Sequence, residues 1–330
     1  MCHLTDLNKN HQSESYVPFS IKDKKRIHIM ALGDVGGMLL TGLKLMGSDV
    51  ISEIGICDID EKVAKRYEME MNQVNSPFEQ GYFPEVKIVL PKDLFNCDVF
   101  VFCASKGIPE VGSDVRDVRM VQFEGNRKII ETYARMAAEQ QFKGLFAVVS
   151  DPVDPLCKAA YLASNRDENG QYHWKGLNSR QFQGYGLGVM NSRAIYFAKK
   201  MHRYGQYLEE GRAFGPHGED LIIANSIAYY NHELSLELTK LTVESNLVTR
   251  QLGFKPYIAP ALSSGAISIL LTLRGEWHYS SNFIGYQEDG AFMGALNRET
   301  ENGLEWEEGK LPKALYERIQ CAYDRLREIQ

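Results

Sequence analysis

The 330-residue sequence predicts an α/β fold in which a doubly wound parallel sheet fills the front half of the chain. Two observations predict it. The runs "CDVFVFCAS" and "GLFAVVSDP" have the near-continuous apolar character of parallel strands that are covered on both faces. Segments with helical spacing of apolar residues alternate with such runs, as at residues 126–140 between these two.

The elements follow in a regular order. "RIHIMAL" reads as a strand, "GDVGGMLLTGLKLMG" as a glycine turn entering a helix, and "ISEIGICDID" as a second strand that ends in acids. Further along, residues 221–230 and 234–246 are predicted to be helical. "ALSSGAISILLTLRG" predicts a helix leading into a strand, and "EWHYSSNFIG" predicts a hairpin or sheet. The chain ends in an amphipathic helix with Leu315, Ile319, Ala322 and Leu326 on its inner face.

Composition and charge narrow the classes of protein. The net charge of −6 argues against a nucleic-acid binder, because no basic stripe is available to displace counterions from phosphates. No apolar run is long enough to cross a membrane. The first 24 residues are polar, so we expect a flexible arm there and no secretion signal. The six cysteines form no CxxC pair, and a reduced, cytoplasmic protein without a metal site is expected.

The first glycine turn predicts a nucleotide site of the Rossmann type. Gly33 and Gly36 have the spacing of the second and third glycines of a dinucleotide fingerprint, with Ala31 in the place of the first. Asp58 ends the next strand, where a carboxylate accepts hydrogen bonds from ribose hydroxyls and repels a 2′-phosphate, which favours NAD over NADP. The other interpretation is a glycine turn of an unrelated α/β protein. The predicted cofactor residues are Gly33, Asp34, Val35, Gly36, Asp58, Ala104 and Ser150.

Other polar residues lie where such folds do chemistry, in loops after strands. Arg116 and Arg119 lie in and after a long Gly/Pro-containing loop, Asp151 ends the strand "VVSDP", and Arg193 follows a glycine-rich turn. The planar fork of arginine suits a carboxylate, because two parallel charge-assisted bonds fix the orientation of the anion. His217, in "FGPHGED", is a candidate general acid/base.

In their order and near their spacing, five motifs resemble the lactate/malate dehydrogenase family. They are Gly33-Asp34-Val35-Gly36, "ISEIGICDID", "RMVQFEGN", "VVSDPVD" and "GPHGED". The resemblance implies a Rossmann domain at 25–165 followed by an α+β substrate-binding domain at 166–330, with the flexible arm at 1–24. It also implies the cofactor NAD, a small-molecule carboxylate substrate and a homo-oligomer, either a dimer or a tetramer.

The same resemblance implies roles for individual residues. His217 would exchange a proton with the oxygen on C2 of the substrate while a hydride passes to or from nicotinamide. Arg119 would polarise the substrate carbonyl, and Arg193 would hold the carboxylate as a bidentate pair. Asn126 would lie near the nicotinamide or the substrate.

Several positions depart from the family pattern. The family carries an aspartate that orients the catalytic histidine three residues before the carboxylate-binding arginine. Here that position is Met190. The neighbouring Asn191 could accept the same hydrogen bond, and Glu219 and Asp220 are close in sequence, so the partner of His217 stays open.

The substrate end departs from the pattern as well. Asp151 replaces the family's asparagine before the proline, and an ionised aspartate cannot donate to a substrate oxygen. Arg116 takes the place of the first loop arginine at a different spacing. Lys255 falls where a small residue normally lines the substrate pocket.

Three functions therefore compete. The first is an NAD-dependent oxidoreductase acting on a 2-hydroxy/2-oxo acid in a modified pocket. The second is oxidation of an amino acid or reduction of an imine, with Asp151 facing a cationic nitrogen. The third is a non-catalytic NAD-binding protein with a sensing or assembly role.

Overall fold

A computed structural model describes residues 2–7, 20–78, 81–106 and 118–329, with side chains from residue 122 onward in the last range. Eleven strands lie in these ranges. They are β1 (Lys25–Met30), β2 (Ile51–Cys57), β3 (Glu85–Ile88), β4 (Val99–Phe102), β5 (Leu145–Val148), β6 (Phe182–Gly184), β7 (Arg212–Phe214), β8 (Ile222–Ala224), β9 (His278–Tyr286), β10 (Asp289–Thr300) and β11 (Gly303–Trp306).

Nine α-helices are described in the same ranges. They are α1 (Asp34–Met46), α2 (Glu61–Asn72), α3 (Val118–Glu139), α4 (Val153–Ser164), α5 (Leu187–Lys200), α6 (Tyr207–Glu210), α7 (His232–Gln251), α8 (Ser268–Arg274) and α9 (Lys313–Glu328). A π-helical segment, Pro260–Ile267, runs directly into α8. Within the described ranges, no helix combines the length and apolar character needed to span a bilayer.

The front half forms the doubly wound parallel sheet that the sequence predicts. Its strand order is β6-β5-β4-β1-β2-β3, so the chain leaves the central β1 in one direction and returns to build the other side. Side chains alternate between two cores because successive residues of a strand point to opposite faces. In β4, Val99 and Val101 pack with α1, while Phe100 and Phe102 pack with α3 and α4.

The back half extends this sheet instead of forming a separate one. β9, β10 and β11 are antiparallel, and β9 joins β6 through one paired position, Gly184 with Ser281. The result is a single nine-stranded sheet. The domain boundary expected at 165/166 thus falls between α4 and β6, and both halves contribute strands to the same sheet. β7 and β8 form a separate two-stranded sheet.

Two expectations from the sequence are corrected here. Residues 221–230 are not a helix, because Ile222–Ala224 pair with Arg212–Phe214 as β8 and β7. The first residues of the expected flexible arm are packed: Leu4 and Leu7 are buried in the same core cluster as α9, and Cys2 pairs with Leu311. The predicted C-terminal helix is confirmed. Its inner face is buried as expected, at Leu315, Ile319, Ala322 and Leu326.

Candidate functional site

The turn between β1 and α1 is tightly packed at Gly36 and has free space at Gly33. Ala31 adopts a left-handed conformation with φ of 72°, which supplies the sharp turn that a first glycine would otherwise make. A Cβ on Gly36 would lie 2.0 Å from the Ala31 carbonyl oxygen, so only glycine fits there. A Cβ on Gly33 would meet nothing within 4 Å. That open side, at the N-terminus of α1, is the kind of place where a pyrophosphate binds.

Asp58 lies beside this turn at the end of β2. Its carboxylate accepts hydrogen bonds from the Leu32 amide at 2.7 Å and from the Asp60 amide at 2.9 Å. These two bonds fix the carboxylate next to the glycine turn. Residues 31–36 and Asp58 therefore form the predicted cofactor group at the carboxyl ends of β1 and β2. The residue types fit NAD, because the turn leaves room for a pyrophosphate and the acid can accept bonds from ribose hydroxyls.

Lys255 is at the cofactor end of the molecule. Its ammonium lies 3.2 Å from the carboxylate of Asp34 in the first turn of α1, and both side chains are largely exposed. The prediction that Lys255 lines the substrate pocket stays a prediction, and the contact that the structure gives this side chain is with Asp34. A long side chain that follows α7 reaches across to the glycine turn, a contact between residues 221 positions apart.

The ends of β4 and β5 are tied together by buried side chains. The Ser150 hydroxyl donates to the Ala104 carbonyl at 2.7 Å. Asn126, which is fully buried in α3, accepts from the Lys106 amide at 2.9 Å and donates to the Asp151 carbonyl at 2.7 Å. The side chain of Asn126 is thus used to hold two strand ends and the Asp151–Pro152 segment, whose peptide bond is cis.

The imidazole of His217 is held by Asp151. The Asp151 carboxylate oxygen Oδ1 lies 3.1 Å from the ring nitrogen Nδ1. The main-chain amide of His217 donates to the carboxylate of Asp154 at 3.1 Å. The other ring nitrogen, Nε2, is buried and has no hydrogen-bond partner among the described residues. The described residues therefore hold one ring nitrogen of His217 and provide no partner for the other.

Asp154 is a site residue that the sequence analysis missed. It lies in the first turn of α4, is buried, and accepts a hydrogen bond from the Ser281 hydroxyl at 2.5 Å. Burial raises the pKa of Asp154 to about 6, although the bonds from Ser281 and from the His217 amide oppose that rise. The available signal was its place three residues after Asp151 in "DPVD", in the first turn of a helix where acids are favoured.

Arg193 is a buried residue of α5. One guanidinium nitrogen donates to the carboxamide oxygen of Asn246 on α7, and another lies 3.5 Å from the Met190 sulfur. Burial lowers the pKa of Arg193, and the negative charge of Asp151 acts in the opposite direction. The charge of Asp151 therefore acts on Arg193, and the same carboxylate contacts the ring of His217, although the three residues lie on different elements.

The remaining predicted residues are placed as follows. Asn191 does not serve the imidazole, since the structure gives its carboxamide oxygen a hydrogen bond from the Tyr207 hydroxyl at 2.8 Å; that expectation is corrected. Arg116 lies outside the described residues. Arg119 lies within α3, and its side chain is outside the described part of the chain. Of the acids near His217 in sequence, Asp220 pairs with Arg325 and Glu219 is exposed.

Comparisons with known proteins agree with this architecture. Residues 25–172 match the family model described as lactate/malate dehydrogenase, NAD binding domain. An L-lactate dehydrogenase of Staphylococcus haemolyticus is 23% identical over 257 residues, which is 75% of this chain and 74% of that protein. An L-lactate dehydrogenase of Mesomycoplasma hyopneumoniae is 24% identical over 232 residues, covering 69% of this chain and 67% of that protein.

Two solved structures share the fold over nearly the whole chain. The malate dehydrogenase from Archaeoglobus fulgidus in complex with NADH superimposes with a TM-score of 0.73 at 18% identity, covering 92% of this chain and 98% of that one. The malate dehydrogenase from Picrophilus torridus in its apo form gives 0.72 at 18% identity, covering 93% and 96%. Residues 25–172 thus resemble the NAD-binding domain of the lactate/malate dehydrogenase family, and the fold of the two dehydrogenase structures extends over nearly the whole chain.

Proposed function

We propose that this protein is an NAD-dependent oxidoreductase that moves a hydride between nicotinamide and C2 of a carboxylate-bearing 2-hydroxy or 2-oxo acid. The observation that carries the proposal is the arrangement of His217. Its Nδ1 is held by a carboxylate, while its buried Nε2 has no partner within the described residues. The buried guanidinium of Arg193 is attracted by the charge of Asp151, the carboxylate that holds this ring. A base with a substrate anchor beside it is what acid/base chemistry on a carboxylate-bearing molecule needs.

The proton chemistry follows from the hydrogen bond to Asp151. A carboxylate accepts hydrogen bonds, so the Nδ1 of His217 must carry the proton in that contact. In the neutral ring Nε2 then has a free lone pair. It can take a proton from a substrate hydroxyl as the alcohol is oxidised, and it can return that proton when the ketone is reduced. We assign Nε2 as the atom that exchanges the proton.

Arg193 is assigned to the substrate carboxylate. Two parallel bonds from one guanidinium fix both the position and the plane of a carboxylate. Asn246 holds one edge of the Arg193 guanidinium, which limits the directions that the side chain can take. Arg119 is assigned to the substrate carbonyl, where negative charge develops, and Arg116 to the same loop. These two assignments rest on the family resemblance.

The cofactor end is assigned to the residues that fit it. Gly33 and Gly36 form the turn, Asp34 and Val35 begin α1, and Asp58 would hold the ribose. Bound NAD supplies or accepts the hydride. In functional terms residues 25–165 would hold the cofactor, while His217 and Arg193 come from residues 166–330. A dimeric or tetrameric assembly is part of the same proposal, and light scattering of the purified protein tests it.

A second candidate reaction is the reduction of an imine or the oxidation of an amino acid. Asp151 supports it, because its side chain is 49% exposed beside the imidazole and would attract a cationic nitrogen. An amine substrate would then meet a carboxylate where the resembling family has a neutral amide. The substrate panel below separates these two reactions.

Stopped-flow oxidation of NADH across a panel of 2-oxo acids and imines tests the proposal. We expect turnover of at least one carboxylate-bearing compound and a loss of about 10²–10⁴-fold in kcat for His217→Gln. His202→Gln, a change at an exposed histidine, is the matched control and should keep full turnover. If NADH binds, no compound reacts and His217→Gln has no effect, the protein is a non-catalytic NAD-binding protein and the proposal is wrong.

A further inference from the structure

We infer that Asp151 is the positioning residue for His217, and that it replaces the carboxylate missing from the helix that carries Arg193. This inference rests on the proposed function, since it assigns a partner to the same histidine. The family pattern places the partner at Met190, where a thioether stands, and the neighbouring Asn191 bonds to Tyr207. In this protein the negative charge is carried instead by Asp151, which follows β5.

The contact between the two side chains supports the assignment. The Asp151 Oδ1 to His217 Nδ1 distance of 3.1 Å is a hydrogen-bond distance, and the carboxylate can only accept. The bond selects the tautomer with a proton on Nδ1 and stabilises the imidazolium when Nε2 is protonated. The two other acids near His217 in sequence do not compete, because Asp220 pairs with Arg325 and Glu219 is exposed.

The carboxylate is held in place by buried bonds on the main chain around it. Asn126 donates to the Asp151 carbonyl at 2.7 Å, and the preceding residue, Ser150, bonds to Ala104 at 2.7 Å. A side chain that orients a catalytic group must itself be fixed by its surroundings. These bonds meet that requirement although the carboxylate is 49% exposed.

The segment 151–154 therefore makes two hydrogen bonds with His217. Asp151 binds the ring, and Asp154, three residues later, binds the main-chain amide of the same histidine. Because the second contact fixes the Cα of His217 and the first fixes its ring, the direction of Nε2 is set by residues 151–154. This geometry explains how the histidine can be oriented without a carboxylate at position 190.

The new position of the charge has a consequence for specificity. The asparagine of the resembling family would donate to the substrate oxygen, whereas Asp151 accepts a hydrogen bond from Nδ1–H of His217. The donors left for that oxygen are His217 itself and the arginines assigned to the substrate. The charge of Asp151 also acts on Arg193, so a substrate carboxylate that binds Arg193 must approach next to a fixed negative charge.

Three variants test the inference by stopped-flow kinetics. Asp151→Asn keeps the shape of the side chain, but its amide can donate to Nδ1 and favour the opposite tautomer. We expect kcat to fall by about 10²–10⁴-fold, while KM for a carboxylate substrate stays the same or falls, because the negative charge that acts on Arg193 is removed. Asp151→Glu keeps the charge and should recover at least about tenfold of that loss. Asp220→Asn, the matched removal of an acid near His217 in sequence, should leave kcat within about twofold.

A second measurement needs neither cofactor nor substrate. The ¹⁵N NMR signals of the His217 imidazole should show the Nδ1–H tautomer in the unmodified protein. In Asp151→Asn that tautomer should be lost. The inference is overturned if Asp151→Asn keeps both that tautomer and its kcat, or if KM rises while kcat stays. An inactive protein whose spectrum still responds to Asp151→Asn would contradict the proposed function alone.

Discussion

The carboxamide of Asn126 donates to the main-chain carbonyl of Asp151 at 2.7 Å, and it also accepts from the Lys106 amide at 2.9 Å. A single buried side chain on α3 thereby joins the ends of β4 and β5. Both backbone groups belong to loops at the carboxyl edge of the sheet. The position of Asp151, and through it the ring of His217, depends on this bond.

Replacing Asn126 with alanine should reduce both stability and turnover. The change leaves a carbonyl and an amide without their partner, and each such group costs about 1–3 kcal/mol when buried. We expect the free energy of unfolding in urea to fall by roughly 2–4 kcal/mol and kcat to fall with it. Asn75→Ala, at an exposed position, is the control. Equal stability of the two variants would refute a joining role for Asn126.

The two glycines of the cofactor turn should respond differently to alanine. Gly36→Ala forces a methyl group to within 2.0 Å of the Ala31 carbonyl, so we expect a loss of at least about 2 kcal/mol of stability. Gly33→Ala meets no atom within 4 Å, so its melting temperature should stay unchanged. It should instead weaken NADH binding, because the methyl group occupies the open side of the turn. Titration of NADH fluorescence measures this, and unchanged binding would argue against a pyrophosphate at Gly33.

Arg193→Lys should affect the substrate far more than the cofactor. Lysine keeps the charge but loses the planar fork that holds a carboxylate by two bonds. We expect KM for the substrate to rise roughly 10- to 100-fold and the Kd for NADH to stay within about twofold. Arg274→Lys removes a remote bidentate pair with Asp49 and serves as the control. Equal effects on substrate and cofactor would contradict the role given to Arg193.

Lys255 should influence the cofactor through Asp34. The ammonium balances a carboxylate at the N-terminus of α1, so its removal leaves Asp34 to repel a pyrophosphate. We expect Lys255→Ala to weaken NADH binding roughly two- to fivefold at low salt, with a smaller effect at high salt. Asp34→Asn should act in the opposite direction. Lys22→Ala, at another exposed ion pair, is the control. A change in substrate KM with unchanged NADH binding would instead support the prediction that Lys255 lines the substrate pocket.

Glu299 should make stability depend on pH. This carboxyl is buried on β10, its Oε2 has no hydrogen-bond partner among the described residues, and burial raises its pKa from 4.5 to about 7. Because the folded pKa is the higher one, the stability that Glu299 contributes is present below about pH 4.5 and is lost as the pH rises through about 7. Glu299→Gln should therefore stabilise the protein by about 1–3 kcal/mol at pH 8 and change little at pH 4.

The exposed neighbour provides a control for that experiment. Glu301 pairs with Lys22 at the surface, and Glu301→Gln should show no comparable dependence on pH. Urea unfolding at pH 4, 6 and 8 is the measurement. A Glu299→Gln variant that is no more stable than the parent at pH 8 would show that the burial of this acid is fully compensated.

The parts of the fold that the sequence predicts are those with local signals. The strands of the front half are continuous apolar runs, and α9 has a clear apolar stripe, so both could be read from neighbouring residues. Residues 222–224 could not, because their strand character comes from pairing with 212–214. The run "LIIANSIAYY" is apolar enough for a helix, and the local pattern does not reveal that pairing.

In the candidate site as well, the sequence predicts what is local, the residue types, and does not predict contacts between distant residues. The residue types at His217, Arg193 and Asp151 were identified from the chain, but the partner of the imidazole was not. Asp151 and His217 are 66 positions apart and meet only because β5 ends beside the loop that follows β7. Asn246 is 53 positions from Arg193 and Ser281 is 127 positions from Asp154, and no spacing rule connects either residue to the site.

The junction between the two halves of the sheet has a mechanical consequence. Ser281 is paired with Gly184 at the point where the antiparallel strands join the parallel ones. Its hydroxyl also donates a hydrogen bond to Asp154, which in turn accepts one from the main-chain amide of His217. We therefore expect a displacement of β9 relative to β6 to shift the backbone of His217 through Ser281 and Asp154.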